Sequence, residues 1–62
     1  MNMIKEQYNI VFDELGNVRN CGRNNCILLI KLLNDEFPDV DFGNEETGFM
    51  NIKNIKEKIQ NI

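Results

Sequence analysis

QYNIVFDELGNVRNC, residues 7–21, is the stretch on which the fold class turns. Tyr8, Ile10 and Phe12 alternate with Asn9, Val11 and Asp13. Aromatic and β-branched residues at period two are the pattern of a strand. Asp13-Glu14-Leu15-Gly16-Asn17 follows, with turn formers at both ends. Val18 to Cys21 then has the length of a short return strand. The expectation is a β-hairpin over about residues 7–21, with a loop in the common length range.

Downstream of the hairpin the period changes. Gly22 ends the return strand, and a helix is expected from Arg23 or Asn24 to Glu36, with Asn24 or Asn20 as its N-cap. Phe37-Pro38 ends it, because a residue before proline avoids the α region. At about 100° per residue, Cys26, Leu29, Ile30, Leu33 and Phe37 form one face. Ile27, Leu28 and Leu32 fall outside that arc, and Leu28 lies beside the polar stripe of Asn24, Lys31 and Asp35. A helix apolar around most of its circumference is covered on several sides. The chain has 62 residues in which to do so.

Residues 38–50, PDVDFGNEETGFM, read as an irregular acidic segment punctuated by Gly43 and Gly48. Val40 and Phe42 suggest a brief extended piece, and Phe49 and Met50 are expected to pack inward or onto a partner. A last helix is expected from Ile52 to the end, with Asn51 as its N-cap. Its apolar residues are Ile52, Ile55, Ile59 and Ile62, a narrow stripe on an otherwise polar helix. So short a helix is unstable alone and must dock, with Ile55 and Ile59 buried. The fold class expected is α+β: one small domain, residues 1–62, with an N-terminal hairpin and two helices around an acidic segment.

The candidate chemistry is sparse. Cys21 and Cys26 are the only cysteines and there is no histidine. Their spacing is not the two-residue gap of thioredoxin-like or zinc-knuckle pairs. Two subunits together would be needed for four thiolate ligands. Cys26 falls on the core face and reads as a small buried apolar residue. Cys21 lies between Arg19 and Arg23 near a helix start, conditions that lower a thiol pKa, and is expected to react faster than Cys26. The same residues, Arg19, Cys21 and Arg23, form a candidate anion site, although phosphate-loop and dinucleotide glycine patterns are absent. Asp39-x-Asp41-x-Gly43 begins like a calcium loop but fails its register. Gly43 stands fifth, and Met50 takes the twelfth position, where a bidentate glutamate belongs. No serine or histidine offers a nucleophile or base, and no metal, cofactor or enzymatic activity is expected.

Charge points the same way. The net charge is −3, with Asp35, Glu36, Asp39, Asp41, Glu45 and Glu46 in the middle and Lys53, Lys56 and Lys58 near the end. That is a poor footprint for a general nucleic-acid binder. No apolar run approaches the roughly 20 residues that span a bilayer, and no signal segment is evident, so a soluble cytoplasmic protein with reduced thiols is expected. Asn, Ile and Lys supply 24 residues, the bias of an AT-rich coding sequence such as that of a low-GC bacterium or its phage.

The expected function is a small protein-interaction module with an accessory, regulatory or inhibitor-type role. Ile27, Leu28, Lys31, Leu32 and Asp35 form its contact surface, the simplest partner being a second copy in a two-fold dimer. Two alternatives stand beside it. One is a nucleic-acid-associated regulator that uses Arg19, Arg23 and the C-terminal lysines. The other is an acidic decoy of nucleic acid built on residues 35–46.

Overall fold

The computed structural model describes residues 2–62, and among them it holds three helices and no strand. They are α1 (Met3–Val11), α2 (Arg23–Glu36) and α3 (Ile52–Ile59). The expected α+β class is therefore wrong: among the described residues there is no strand and no β-hairpin, and of the strand read over residues 7–12 all but Phe12 lies in the second half of α1. The physical reason lies in which residues face inward. Ile4, Gln7 and Val11 are the buried positions of α1, a helical spacing, whereas Ile10 is exposed. Phe12 belongs to the extended C-cap instead of to a strand. The apparent period of two arises from Tyr8 and Ile10 on the helix and Phe12 beyond it.

What starts α1 is Asn2, whose Oδ1 accepts hydrogen bonds from the N–H groups of Ile4 and Lys5. What the hairpin reading retains is the reversal after it. Phe12 pairs with Val18 in one isolated antiparallel bridge, and the Val11 carbonyl accepts from the Arg19 N–H. The turn sits at Asp13–Asn17 as the residue types imply, closed by Asp13 Oδ1 on the N–H groups of Leu15 and Asn17.

α2 occupies its expected span, but its N-cap is neither Asn24 nor Asn20. Gly22 takes that place at φ 91°, a conformation open to glycine and strained for residues with a Cβ. Asn25 instead turns back, donating from Nδ2 to the Cys21 carbonyl at 2.8 Å. α3 begins at Asn51 as expected, with Oδ1 accepting from the Asn54 N–H. It ends at Ile59, short of the chain end, and Gln60 and Asn61 close it as a turn.

The core is Ile4, Val11 and Phe12 from the first segment, Leu29, Ile30 and Leu33 from α2, Phe42 from the second connection and Ile55 from α3. Each fully buried aliphatic or aromatic side chain contributes about 1.5–3 kcal/mol over its exposed state, so a core of this size suffices only if nearly all of it packs. Tyr8 stacks on Phe12 with centroids 4.5 Å apart, and Phe37 meets Phe42 at 6.1 Å. Of the isoleucine stripe, Ile55 is buried and Ile59 half-buried. The lysines between them lie over aromatic faces: Lys56 Nζ is 5.8 Å from the Phe12 centroid and Lys58 Nζ 5.2 Å from that of Phe37.

The connection between α2 and α3 is tightly built. A Cβ on Gly43 would collide with the Phe49 carbonyl oxygen, and Gly43 pairs with Met50 in the second isolated bridge. Phe42 is thereby driven into the core, while Phe49, expected to pack inward or against a partner, is 79% exposed. Among the described residues no helix is long and apolar enough to cross a membrane.

Candidate functional site

Two places collect the residues singled out from sequence: the outer face of α2 and the turn that leads into it.

The outer face of α2 is defined by what covers its flanks. On one side lies the loop around Gly48, where a Cβ would stand 2.8 Å from Arg23 Cγ and 3.3 Å from Ile27 Cγ1. Further along that side, Asn34 Nδ2 donates to Glu45. On the other side runs α1, tied to α2 by the buried Gln7, whose Nε2 donates to the Asn25 backbone and side-chain oxygens at 3.0 and 3.1 Å. Between these flanks Leu28, Lys31 and Asp35 are exposed, and Leu28 keeps 45% of its surface in solvent. Ile27 and Leu32 are each half-buried, Ile27 beside the Gly48 loop and Leu32 against the core.

Leu32 and Asp35 also line an open groove of about 480 Å³ between the start of α1 and the second half of α2. Met3 and Ile62, both exposed apolar residues, contribute to its walls, and Glu36 adds a second carboxylate. Leu28 lies one turn before Leu32 on the same side of α2. Sequence reasoning misses the groove, because it depends on residues 3 and 4 being helical and on the chain end returning to α2.

The turn into α2 places Arg19, Cys21 and Arg23 in separate roles. Arg19 Nε donates to the carbonyls of Asn9 and Phe12 at 3.2 and 3.1 Å, so the guanidinium closes the C-terminus of α1. Its NH2 group makes a 3.5 Å ion pair with Glu14. Arg23 leans across Gly48. The two arginines therefore serve two different loops. Both cysteines are free and half-buried. Their sulfurs converge on one acceptor: Cys21 Sγ and Cys26 Sγ each lie 3.8 Å from the Gly22 carbonyl oxygen. Burial raises the Cys26 thiol pKa, and the adjacent Cys21 thiol raises it further.

Two carboxylates of the acidic segment and its Asn44 are engaged within the fold. Asp41 Oδ1 accepts from the Gly43 N–H, Asn44 Oδ1 from those of Glu46 and Thr47, and Glu45 from Asn34. Among the described residues no group of three or more potential ligands gathers as a metal site would require.

No protein-family model matches this chain, and neither a curated protein nor a solved structure matches it.

Proposed function

We propose that the chain is a small protein-interaction module, acting in an accessory or regulatory role by binding and not by catalysis. Its contact face is the Leu28–Leu32 ridge of α2, flanked by Ile27, Lys31 and Asp35. The observation that carries this reading is the exposure of Leu28, one helical turn from Leu32, which lines a groove together with Met3 and Ile62. Contiguous apolar surface on a small domain marks binding sites more often than chance.

A second copy is the simplest partner. Lys31 and Asp35 share this face one turn apart. An antiparallel pairing whose two-fold axis crosses α2 between them sets each lysine opposite the other copy's aspartate, with the leucines along the seam. The cytoplasm of a low-GC bacterium, or of one infected by its phage, is the proposed setting, in keeping with reduced thiols. Nucleic-acid binding draws less support, because the Arg19 guanidinium is engaged with carbonyls of its own chain. The acidic decoy keeps only part of its charge free, since two of its six carboxylates, Asp41 and Glu45, accept bonds from within the fold.

Sedimentation at micromolar concentration tests the proposal. The wild-type chain is expected to run as a dimer, and Leu28→Glu as a folded monomer, because the new carboxylate would be desolvated in the seam. A wild-type chain that sediments as a monomer refutes the dimer.

A further inference from the structure

With Gly22 as the N-cap of α2, Cys21 occupies the position before the cap and Cys26 the fourth helical position. These are the two positions whose side chains meet in a hydrophobic staple, the contact that sets the angle at which a chain enters a helix. Here both members are thiols. Both sulfurs lie 3.8 Å from the Gly22 oxygen, which brings them to the same side of the helix start. The pair is also fastened to the rest of the fold. Asn25 Nδ2 holds the Cys21 carbonyl, and Asn25 in turn accepts from the buried Gln7 of α1. The staple thus lies at the joint between α1 and α2.

We propose that Cys21 and Cys26 form an oxidisable dithiol, which a small-molecule disulfide of the glutathione type converts into an intramolecular disulfide that locks this joint. In the first step Cys21 loses its proton and its thiolate attacks one sulfur of the small disulfide. The sulfur–sulfur bond breaks, one small thiol leaves carrying a proton, and a mixed disulfide remains on Cys21. In the second step Cys26 loses its proton and attacks the Cys21 sulfur, expelling the second small thiol. Two protein thiols are oxidised and one small disulfide is reduced to two thiols, so electrons and protons balance. Cys21 attacks first because it stands outside the helix, whereas burial and the neighbouring Cys21 thiol make Cys26 harder to ionise. The reduced form is the resting state of a reducing compartment, and the locked form appears when the poise of the small disulfide pool shifts.

The test is to incubate the full chain with oxidised glutathione, trap free thiols by alkylation and weigh the intact protein. The wild type is expected to lose two hydrogens, retain no glutathione and remain a single covalent chain at every protein concentration. Cys26→Ser is expected to stop at the first step with one glutathione on Cys21, and Cys21→Ser to acquire its adduct on Cys26 more slowly. Repeating the wild-type reaction in denaturing urea separates the fold from mere proximity in sequence. Closure is expected to be faster in the folded chain. Accumulation of glutathione adducts or covalent dimers by the folded wild type overturns the proposal, as does closure that is no faster folded than unfolded.

Discussion

The two connections of this fold, residues 12–22 and 37–51, are built with the same turn chemistry and differ in what fastens them. Each contains one isolated antiparallel bridge, Phe12 with Val18 and Gly43 with Met50. Each is closed by a side-chain oxygen that accepts two nearby N–H groups, Asp13 on Leu15 and Asn17, Asn44 on Glu46 and Thr47. Each also uses a glycine at positive φ whose N–H returns to the carbonyl of that same Asp or Asn: Gly16 to Asp13, Gly48 to Asn44. Each buries one aromatic side chain, Phe12 in the first and Phe42 in the second, and each leaves a large apolar residue in solvent, Leu15 at 82% and Phe49 at 79% exposed. What differs is the fastening. The first leans on the Arg19 guanidinium, which donates to the carbonyls of Asn9 and Phe12, whereas the second is closed by backbone packed so tightly that a Cβ on Gly43 would collide with the Phe49 carbonyl oxygen. Turn chemistry therefore decides where the chain reverses and not what holds the reversal to the fold.

The largest expected effect follows from the second connection. Phe42→Ala removes a fully buried aromatic side chain that touches the core between α2 and α3, at a cost of about 3–5 kcal/mol. A domain this small has a total stability of roughly 5 kcal/mol, so the variant should be substantially unfolded at room temperature. Urea denaturation followed by far-ultraviolet circular dichroism measures this. A variant that keeps its midpoint would place the 37–51 connection outside the cooperative unit.

The same contrast explains which features are legible in the sequence. α2 is readable because Gly22 and Pro38 bracket a dense apolar run, and α3 because Asn51 precedes a regular isoleucine stripe. α1 is not readable, because a core position of its helical face is filled by Gln7, a polar residue satisfied only by Asn25, eighteen positions away. No local pattern announces such a partner. The C-terminus of α1 is hidden for a similar reason: its last carbonyls are held by Arg19, from across a turn. Sequence reasoning assigns Arg19 to an anion or thiol site, since charge beside a cysteine is visible in one dimension and a tertiary helix cap is not. The thiol pair, by contrast, is within reach of sequence reasoning. Taking Gly22 as the cap puts Cys21 and Cys26 at the staple positions at once, and choosing asparagine for the cap conceals it.

A smaller effect is expected at Arg19. Arg19→Leu strips the Asn9 and Phe12 carbonyls of their guanidinium donor and should cost about 1.5–3 kcal/mol, the range for hydrogen bonds that involve a charged group. The ion pair with Glu14 contributes little of that, because both partners are well exposed. Glu14→Gln should accordingly leave the urea midpoint where it is. Equal losses in the two variants would mean that the ion pair, and not the capping of α1, is what Arg19 supplies.

The smallest effect is expected at the tip of the first connection. Leu15 is large and apolar, yet it lies almost wholly in solvent, and its backbone N–H is held by Asp13 whatever side chain it carries. Leu15→Ser retains that N–H and gives up almost no burial. Surface changes of this kind stay within about ±0.5 kcal/mol. Paired with Phe42→Ala in the same urea titration, it tests whether a core aromatic and an exposed tip residue differ as their burial implies. A loss of stability at Leu15 comparable to that at Phe42 would mean that the 12–22 connection is anchored by its tip, and that Leu15, not Arg19, tethers it to the fold.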